Sequence, residues 1–523
     1  MAILRAAFSA ALFLFVSLAA PAAAQDVTLS AKGGGLSVSG TLLSFDGEFY
    51  RVQTEFGPLV LDGSGVDCSG PGCPDLETFV ARITVAGDEM LGAELMPLLL
   101  EAYAQERGLK IRRIVSDDRN FHYVLWEEGS GSPVAEIAFH LGTTVQGFGD
   151  LLRDQADIVM AAREMTREEL AAAREAGLGG LKAAARGRVI ALDGLALLVA
   201  PENPVQGLSL AQARAVRAGL VANWADLGGA DAPIVLHALA ADSGLEQAIS
   251  NRLEPLGGIA VTRHQSLASL ADAVARDPLA LGFGTLTEQG NARPLDLIGA
   301  CGRAFPKGAH AIKAEDYPLT LPLLLYTPPR RLPKFARGFL RYLNTAPAQA
   351  LIRANGFVDL DAERAPLSGQ GDRLAAAILN AGAEVPLGEL QRMVTALAGY
   401  ERLTTTFRFE TGSSVLDAQS RTNVLLLAEA LEAGRYDGQT LVFVGFSDGE
   451  GAAATNRQIS ENRARRVRDA VRRAARALPE GGVRMRTEAF GEAMPMACDE
   501  SGIGRQINRR VEVWVGPKMD QDG

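Results

Sequence analysis

Short apolar and polar runs alternate in the first part of the chain, and glycines interrupt them. The runs VTLSA, GLSVSGTLLSF, EFYRVQT and PLVLDG lie between Val27 and Asp67. Alternation with a period of two, broken by turn residues, is typical of half-buried antiparallel strands. The pattern therefore predicts a small antiparallel β unit over residues 26–75.

Beyond about residue 79, strand-like runs alternate with helical ones. ARITVAG precedes ELMPLLLEAYAQERG, and RVIALDGLALLVA precedes SLAQARAVRAG. This alternation predicts an α/β domain over residues 78–360, with helices covering a largely parallel sheet. We expect two lobes, because about 280 residues exceed the usual size of a single hydrophobic core.

The rest of the chain divides into a helical connector and a final compact unit. Apolar residues recur at helical spacing in RLAAAILNAG and LGELQRMVTALAGY, which predicts the connector over residues 361–402. Residues 403–517 then alternate strands and helices in the order TTTFRFE, VLDAQSRTNVLLLAEALEAG, QTLVFVGFS, a long helix, VRMRTEAFG and RRVEVWV. This order predicts an α+β sandwich.

The long helix of the final unit, predicted over residues 456–478, places an arginine on its apolar stripe. Arg463 falls among the apolar positions Ile459, Val467, Val471, Ala474 and Leu478. A guanidinium keeps its charge, so near a core it needs an anion or hydrogen-bond acceptors. Asn456 and Ser460 share its face, and Asp448 ends the preceding strand, from which it can approach.

Two interpretations of this arrangement stay open on the residues alone. Asp448 and Arg463 can form an internal salt bridge. They can also line a recess that is complementary to a zwitterion, in which the carboxylate receives an ammonium group and the guanidinium receives a carboxylate.

The wider pattern favours the recess. The segments FRFETGSSVLDAQSRTNVLLLA, GFSDGEGAAATNRQISENRARRV, AFGEAMP and NRRVEVWV closely resemble the OmpA-like peptidoglycan-binding domain. The resemblance implies that Asp448 and Arg463 hold the diaminopimelate side chain of the cell-wall peptide, while Asn456 and Ser460 shape the pocket. It also implies that the closing motif, Asn508 to Arg510, fastens the last strand or contacts glycan.

Phrases in residues 78–360 resemble the substrate-binding proteins of phosphate-type ABC importers. These phrases include ITVAGDEMLGAELMP, QADIVMAARE, NWADLGG, LALGFGTL and YPLTLPLLLYTPP. The resemblance implies a type II periplasmic-binding-protein fold that closes on a ligand by hinge motion. Candidate contacts to a solute are Thr143, Thr144, Arg163, Ser243 and Gly244. A helix cap is an equal alternative for the two threonines, whereas an ion pair for Arg163 and a turn at Ser243 and Gly244 are the favoured roles of the other three.

Orthophosphate is a disfavoured ligand for this cleft. In the phosphate binders an arginine stands four residues before a Ser-Gly-Thr, whereas here Leu239 has that position and Leu245 follows Ser-Gly. The first anion loop contains Asp88 and Glu89, which would repel a dianion.

The first 24 residues have the composition of a cleavable signal peptide. Arg5 supplies a positive start, an apolar stretch runs from Ala6 to Ala20, and small residues precede a cut before Gln25. No cysteine lies near the cut, so a lipid anchor is not expected. No later run reaches about 18 apolar residues, so no further membrane span is expected.

Charge and cysteine content narrow the functional classes. A net charge of −10 gives no general attraction to nucleic acid. Cys68 and Cys73 are spaced like a disulfide-closed turn in an exported chain, while the partners of Cys301 and Cys498 stay open.

No residue set predicts catalysis or metal binding. The histidines lack the short spacings of zinc sites, so neither a metal nor a cofactor is expected. The acidic pair Glu127 and Glu128 lies in a Gly/Ser loop typical of a solvated turn. We therefore do not expect an enzyme.

The sequence predicts a multidomain α/β and α+β protein of the periplasm, associated with the cell wall or outer membrane. Its expected partner is peptidoglycan, and its middle domain is a candidate binder of a small solute or anion. The alternative is the substrate-binding receptor of a phosphate-type ABC transporter.

Overall fold

The computed structural model describes residues 26–76, 79–183, 186–299, 302–380, 384–410, 412–478, 482–499 and 502–518. The predicted signal peptide and Cys301 lie outside these residues. The chain forms two compact units, Met1–Ala81 and Arg82–Gly523. In the second unit we use the names middle domain and C-terminal domain for the predicted segments, residues 78–360 and 403–517.

The first unit is a five-stranded antiparallel sheet, as the alternating pattern predicts. Its strands are β1 (Asp26–Ala31), β2 (Ser37–Phe45), β3 (Phe49–Thr54), β4 (Gly57–Asp62) and β5 (Val66–Ser69). They pair in the order β4-β3-β2-β1-β5. Inward-facing side chains of β1 and β3 form the core, with Val27, Leu29, Tyr50 and Val52 buried. A disulfide joins Cys68 to Cys73.

The middle domain contains thirteen described strands. They are β6 (Ala81–Asp88), β7 (Leu109–Val115), β8 (Asn120–Glu127), β9 (Pro133–Gly142), β10 (Ile158–Ala161), β11 (Gly187–Val199), β12 (Gly207–Ser209), β13 (Val235–Leu239), β14 (Val261–His264), β15 (Ala280–Thr285), β16 (Arg293–Pro294), β17 (Asp296–Ile298) and β18 (Thr320–Tyr326).

Helices cover these strands. They are α1 (Glu89–Gly92), α2 (Leu95–Glu106), α3 (Thr144–Leu152), α4 (Arg167–Glu175), α5 (Leu210–Arg217), α6 (Gly244–Leu253), α7 (Leu267–Arg276), α8 (Ala309–Lys313), α9 (Lys334–Tyr342) and α10 (Ala346–Ala354). A 3₁₀ turn spans Trp224–Leu227.

The main sheet of the middle domain is mixed, so the expectation of a largely parallel sheet was wrong. The strand order is β14-β13-β15-β11-β18-β10-β6-β9-β8-β7, with β16 on β11. Strands β6 and β10, and β13 with both β14 and β15, are parallel. Strands β7, β8 and β9 are antiparallel because short turns join them, and such turns cannot join parallel neighbours.

One long strand connects the two lobes of the middle domain. The Gly187–Gly194 half of β11 pairs with β18, whereas the Leu195–Val199 half pairs with β15. One lobe therefore lies around β18, β10 and β6 to β9, and the other around β13 to β15. This arrangement is a periplasmic-binding-protein-like fold.

The C-terminal part of the second unit is an α/β sandwich. Its strands are β19 (Arg364–Pro366), β20 (Glu401–Arg408), β21 (Gln439–Gly445), β22 (Val483–Ala489) and β23 (Arg510–Lys518), in the order β19-β20-β23-β21-β22. Its helices are α11 (Gly371–Asn380), α12 (Leu387–Leu397), α13 (Ala418–Glu432), α14 (Ala453–Ala474) and α15 (Gly502–Asn508).

The predicted connector packs on this sheet. Strand β19 adds to its edge, and Met393 and Leu397 of α12 pack against Trp514 of β23. Arg373 of α11 bonds the buried Glu512 of β23. Helices α13 and α14 cover the opposite face, where Leu427, Val467 and Phe443 share a core.

Helix α14 differs from the prediction in its first residue, its last residue and the set of residues that it buries. It begins three residues earlier than expected, at Ala453, and ends at Ala474. Its buried positions are Asn456, Ser460, Ala464, Val467 and Val471. Ile459, which we expected on the stripe, is 39% exposed. Two polar side chains occupy the buried face because they bond the neighbouring loop, as described below.

Buried polar contacts attach β20 and α13 to the middle domain. Arg402 of β20 forms a bidentate pair with Asp316, at 2.6 and 3.0 Å. The Thr422 hydroxyl of α13 accepts a hydrogen bond from the Val189 amide of β11 at 3.0 Å. Such contacts leave little freedom between the two domains, since separation would expose paired charges and break hydrogen bonds.

Among the described residues, no helix is both long enough and apolar enough to cross a bilayer.

Candidate functional site

Strand β21 of the C-terminal domain ends beside the first turns of α14, and we use the name recess for the predicted site residues there, Asp448, Asn456, Ser460 and Arg463. Gly445 ends β21, and a Cβ at this position would collide with the carbonyl oxygen of Ser460. Glycine therefore lets the strand approach the helix closely. This approach places Asp448, three residues beyond the strand, beside the helix that carries Arg463.

Asp448 pairs with Arg509, not with Arg463. The Arg509 Nε donates to Asp448 Oδ2, and the Asp448 residue is 8% exposed. Among the described residues, neither a salt bridge nor a hydrogen bond joins Asp448 to Arg463. The internal salt bridge considered above is therefore absent, although Asp448 is not unpaired either.

The guanidinium of Arg463 lies unpaired beside this pair. It stands over the Phe409 ring, 5.5 Å from the ring centroid, and its buried Nη1 has no hydrogen-bond partner in the described part of the chain. Burial lowers the pKa of Arg463, the nearby Arg509 lowers it further, and Asp448 acts in the opposite direction. The recess thus holds a cation without an acceptor.

Asn456 and Ser460 bond the loop that follows β22. The Asn456 amide donates to Glu492 Oε2 at 2.8 Å, and the Ser460 hydroxyl accepts from the Gly491 amide at 3.2 Å. Both side chains are buried. Burial, with the charges of Glu384, Asp499 and Asp448, raises the pKa of Glu492, which the Asn456 hydrogen bond partly offsets.

The three residues of the closing motif have different surroundings. Asn508 is fully buried and bonds the amides of Met496 and Ala497. Arg510 is also fully buried and pairs with Glu512 at 2.7 Å. Arg509 alone reaches the recess, with 28% of its side chain exposed. Asn508 and Arg510 therefore stabilise the fold, whereas Arg509 contributes to the recess.

A concave site lies in the middle domain. It is a cavity of about 440 Å³, within the usual size of small-molecule sites, and residues of both lobes line it. Of the five predicted solute contacts, Thr143 and Ser243 line it, whereas Thr144, Arg163 and Gly244 do not.

The two lining hydroxyls are helix caps. Thr143 Oγ1 accepts from the Gln146 amide at 3.2 Å, and Ser243 Oγ accepts from the Glu246 amide at 3.0 Å. These caps satisfy amides at the starts of α3 and α6.

Thr144 and Gly244 lie behind the cavity, where the two lobes meet. The Thr144 hydroxyl donates to Asp88 Oδ2 at 2.9 Å, and it accepts from the Ala162 amide. A Cβ at Gly244 would collide with both Thr144 and Asp88. The buried carboxylate of Asp88 therefore occupies the space between the starts of α3 and α6.

Arg163 has a structural role and is not a cleft contact. Its guanidinium forms a bidentate pair with Glu169, at 2.8 Å for both bonds, and its Nε donates to Gln247 at 2.7 Å. It is 6% exposed. Because Glu169 lies in the first turn of α4 and Gln247 lies on α6, the arginine ties the two lobes together.

Sequence reasoning noted Asp88 and Glu89 but missed the other acids of the cavity. Asp193 of β11 is 1% exposed, and burial raises its pKa to about 6, while Gly194, Thr285 and Thr287 act in the opposite direction. Burial also raises the pKa of Asp88 to about 6. The signal for Asp193 was present, since it is a lone charge in the apolar run VIALDGLALLVA.

The C-terminal domain has a family match. Residues 408–509 match the OmpA family. The match covers most of the C-terminal domain, which is therefore similar to this family. Over 123 residues the chain is 32% identical to outer membrane porin F of Pseudomonas aeruginosa, covering 23% of this chain and 33% of the porin. Because two thirds of that relative lie outside the match, its properties as a whole protein do not transfer.

The middle domain also has a family match. Residues 133–346 match a PBP superfamily domain. Over 234 residues the chain is 25% identical to protein SphX of Synechococcus elongatus, covering 42% of this chain and 67% of SphX. An ABC-type phosphate transport receptor from Vibrio cholerae aligns over 53% of this chain and 99% of its own, with 20% identity and a TM-score of 0.40. Neither matched family is an enzyme family.

Proposed function

We propose that this protein is a non-catalytic component of the cell envelope that binds peptidoglycan through its OmpA-family domain. The ligand is the diaminopimelate side chain of the wall peptide, whose free end carries an ammonium and a carboxylate. The site is the recess of Asp448, Arg463 and Arg509, and Asn456 and Ser460 hold its wall. The proposed location is the periplasm, at the cell wall or outer membrane.

The observation that carries this proposal is the unpaired guanidinium of Arg463. A buried polar group without a partner costs about 1–3 kcal/mol, and a charged group costs more. Arg463 Nη1 is buried without an acceptor among the described residues. A carboxylate ligand would supply that acceptor and recover the cost, because guanidinium and carboxylate form short charge-assisted bonds.

Asp448 supplies the opposite charge. Its Oδ2 accepts from Arg509, and Oδ1 has no hydrogen-bond partner in the described residues. A ligand ammonium can bond Oδ1 while Arg509 stays in place. The site then holds two guanidiniums and one carboxylate, so it should select for the ligand carboxylate more strongly than for its amine.

The test is co-sedimentation of the mature protein with purified sacculi that contain diaminopimelate. We expect Asp448→Asn and Arg463→Ala each to weaken binding by roughly 2–5 kcal/mol, since each leaves a charged ligand group without its partner. Arg463→Lys keeps the charge but loses the planar fork, so it should fall between wild type and Arg463→Ala.

Arg466→Ala is the matched control, because Arg466 lies on the exposed face of the same helix. It should pellet like wild type. Circular dichroism would confirm that all variants remain folded. Pelleting that survives both Asp448→Asn and Arg463→Ala, or that persists after amidation of the diaminopimelate carboxylate, would refute the proposed site.

The middle domain adds a solute-binding-like module, and the transport receptor remains the competing function. The cavity does not favour delivery of phosphate, because carboxylates line it. Tight phosphate binding by the full chain, together with no affinity for sacculi, would favour the receptor over the wall-binding protein.

A further inference from the structure

We propose that the cavity of the middle domain binds an organic cation with two or more ammonium groups, such as a polyamine. The residues that define it are the six acids on its wall: Asp88, Glu89, Glu94, Asp193, Asp242 and Glu288. This inference does not depend on wall binding, which concerns a different domain.

The charge balance of the cavity excludes a dianion as the preferred occupant. Six carboxylates face one arginine, Arg119, which leaves a formal excess of five negative charges. The starts of α3, α6 and α7 also face the cavity, and each contributes roughly half a positive charge. Their sum of about 1.5 offsets less than a third of the excess.

Ion pairs with basic side chains do not neutralise the acids of the cavity. Glu89, Glu94, Asp242 and Glu288 have no salt-bridge partner among the described residues. The carboxylate of Asp88 already fills the space between the starts of α3 and α6, where Thr144 and the Met90 amide bond it. A second anion placed there would meet this charge at close range.

Asp193 supplies an acceptor that lacks a donor. Its Oδ1 accepts from the amides of Gly194 and Thr287, at 2.7 and 3.2 Å. Its Oδ2 is buried and has no hydrogen-bond partner within the described ranges. Asp193 borders the cavity, so a ligand ammonium that enters it can satisfy this oxygen.

The rest of the lining suits a ligand with a methylene chain. Leu239, Leu245, Leu267 and Phe357 give apolar surface between the acids. Within the described residues no three acids, histidines or cysteines gather as metal ligands. Separated acids fit separated ammonium groups joined by apolar links better than they fit one compact metal ion.

The experiment is isothermal titration of the mature full-length protein with spermidine, inorganic phosphate and Ca²⁺ at pH 7.5. We expect spermidine to bind with an affinity that falls as NaCl is raised, because the attraction is between charges. We expect no heat from phosphate. Phosphate binding without spermidine binding, or Ca²⁺ binding in place of spermidine, would overturn the proposal.

Two sets of variants locate the site. Asp193→Asn should weaken spermidine binding about 10- to 100-fold, the usual effect of losing a hydrogen bond to a charged group. Asp242→Asn combined with Glu288→Gln removes two exposed charges without touching the core, so it remains informative if Asp193→Asn folds poorly. The double variant should weaken binding and flatten its salt dependence.

Glu175→Gln is the control, since this exposed acid of α4 does not line the cavity. It should bind spermidine like wild type. Spermidine binding that is unchanged in both cavity variants would overturn the assignment. Sacculus pelleting of the same variants separates this outcome from failure of the wall-binding function, because the cavity substitutions should leave pelleting intact.

Discussion

Replacement of Asp193 by asparagine should make the protein more stable, and by an amount that depends on pH. Burial raises the pKa of Asp193 from 3.8 to about 6. Between these two values the folded protein holds a proton that the unfolded chain releases. The free energy of unfolding of the wild type therefore falls as pH rises through this window, and the loss is complete above about pH 6.

The magnitude follows from the pKa difference. One pKa unit corresponds to about 1.4 kcal/mol, so the rise of Asp193 from 3.8 to about 6 costs the wild type about 3 kcal/mol at neutral pH. Asparagine does not ionise, and its Oδ1 can still accept from Gly194 and Thr287. The stability difference between Asp193→Asn and wild type should thus increase by about 2.5 kcal/mol between pH 4 and pH 8, because the unfolded chain is already partly ionised at pH 4.

Urea unfolding at several pH values, followed by tryptophan fluorescence, measures this difference. Trp224 is 2% exposed and reports on the middle domain. The pH-dependent part is the informative quantity, because any change in packing caused by the amide is nearly the same at both pH values. A stability difference that stays constant from pH 4 to pH 8 would refute the view that Asp193 is a buried, ionised carboxylate held for a ligand.

Two further predictions concern the C-terminal domain. Gly445→Ala should destabilise it by about 1–3 kcal/mol and reduce sacculus binding, because the new methyl collides with the Ser460 carbonyl. Gly388→Ala is the control and should do neither, since open space surrounds Gly388. Equal urea midpoints for the two variants would contradict this prediction. Arg402→Ala should cost about 3–5 kcal/mol by leaving Asp316 buried without its partner, and limited proteolysis should then release the C-terminal domain. The exposed Arg364→Ala is the control, and equal protease resistance of the two variants would argue against a locked interface.

Local pattern predicted much of the fold. The antiparallel first unit follows from period-two alternation, since β1 and β3 bury alternate side chains. The sandwich of the C-terminal domain follows from strands and helices that alternate along the chain. The prediction of a largely parallel sheet in the middle domain was wrong. Strand direction depends on which strands pair, and a buried strand has the same apolar pattern whether its neighbours run parallel or antiparallel to it.

The recess of the C-terminal domain was predictable in part because its residues are close in sequence. Asp448, Asn456, Ser460 and Arg463 all lie at one strand end and the first turns of the next helix, so helical geometry alone brings them together. Arg509, which pairs with Asp448, follows 61 residues later. Nothing in the local pattern shows that this arginine reaches the recess while Arg510 is buried.

The sequence by itself determined the kinds of structural unit and the resemblance of the last domain to the OmpA family, because periodicity and motif spacing are properties of the chain alone. Only the tertiary structure decided that Asp448 pairs with Arg509, that Arg463 Nη1 has no acceptor in the described part of the chain, and that acids from distant segments share one cavity. The order of the strands in each sheet decides which distant residues become neighbours. The electrostatic partners of a side chain are its neighbours in space, and these lie far apart along the chain.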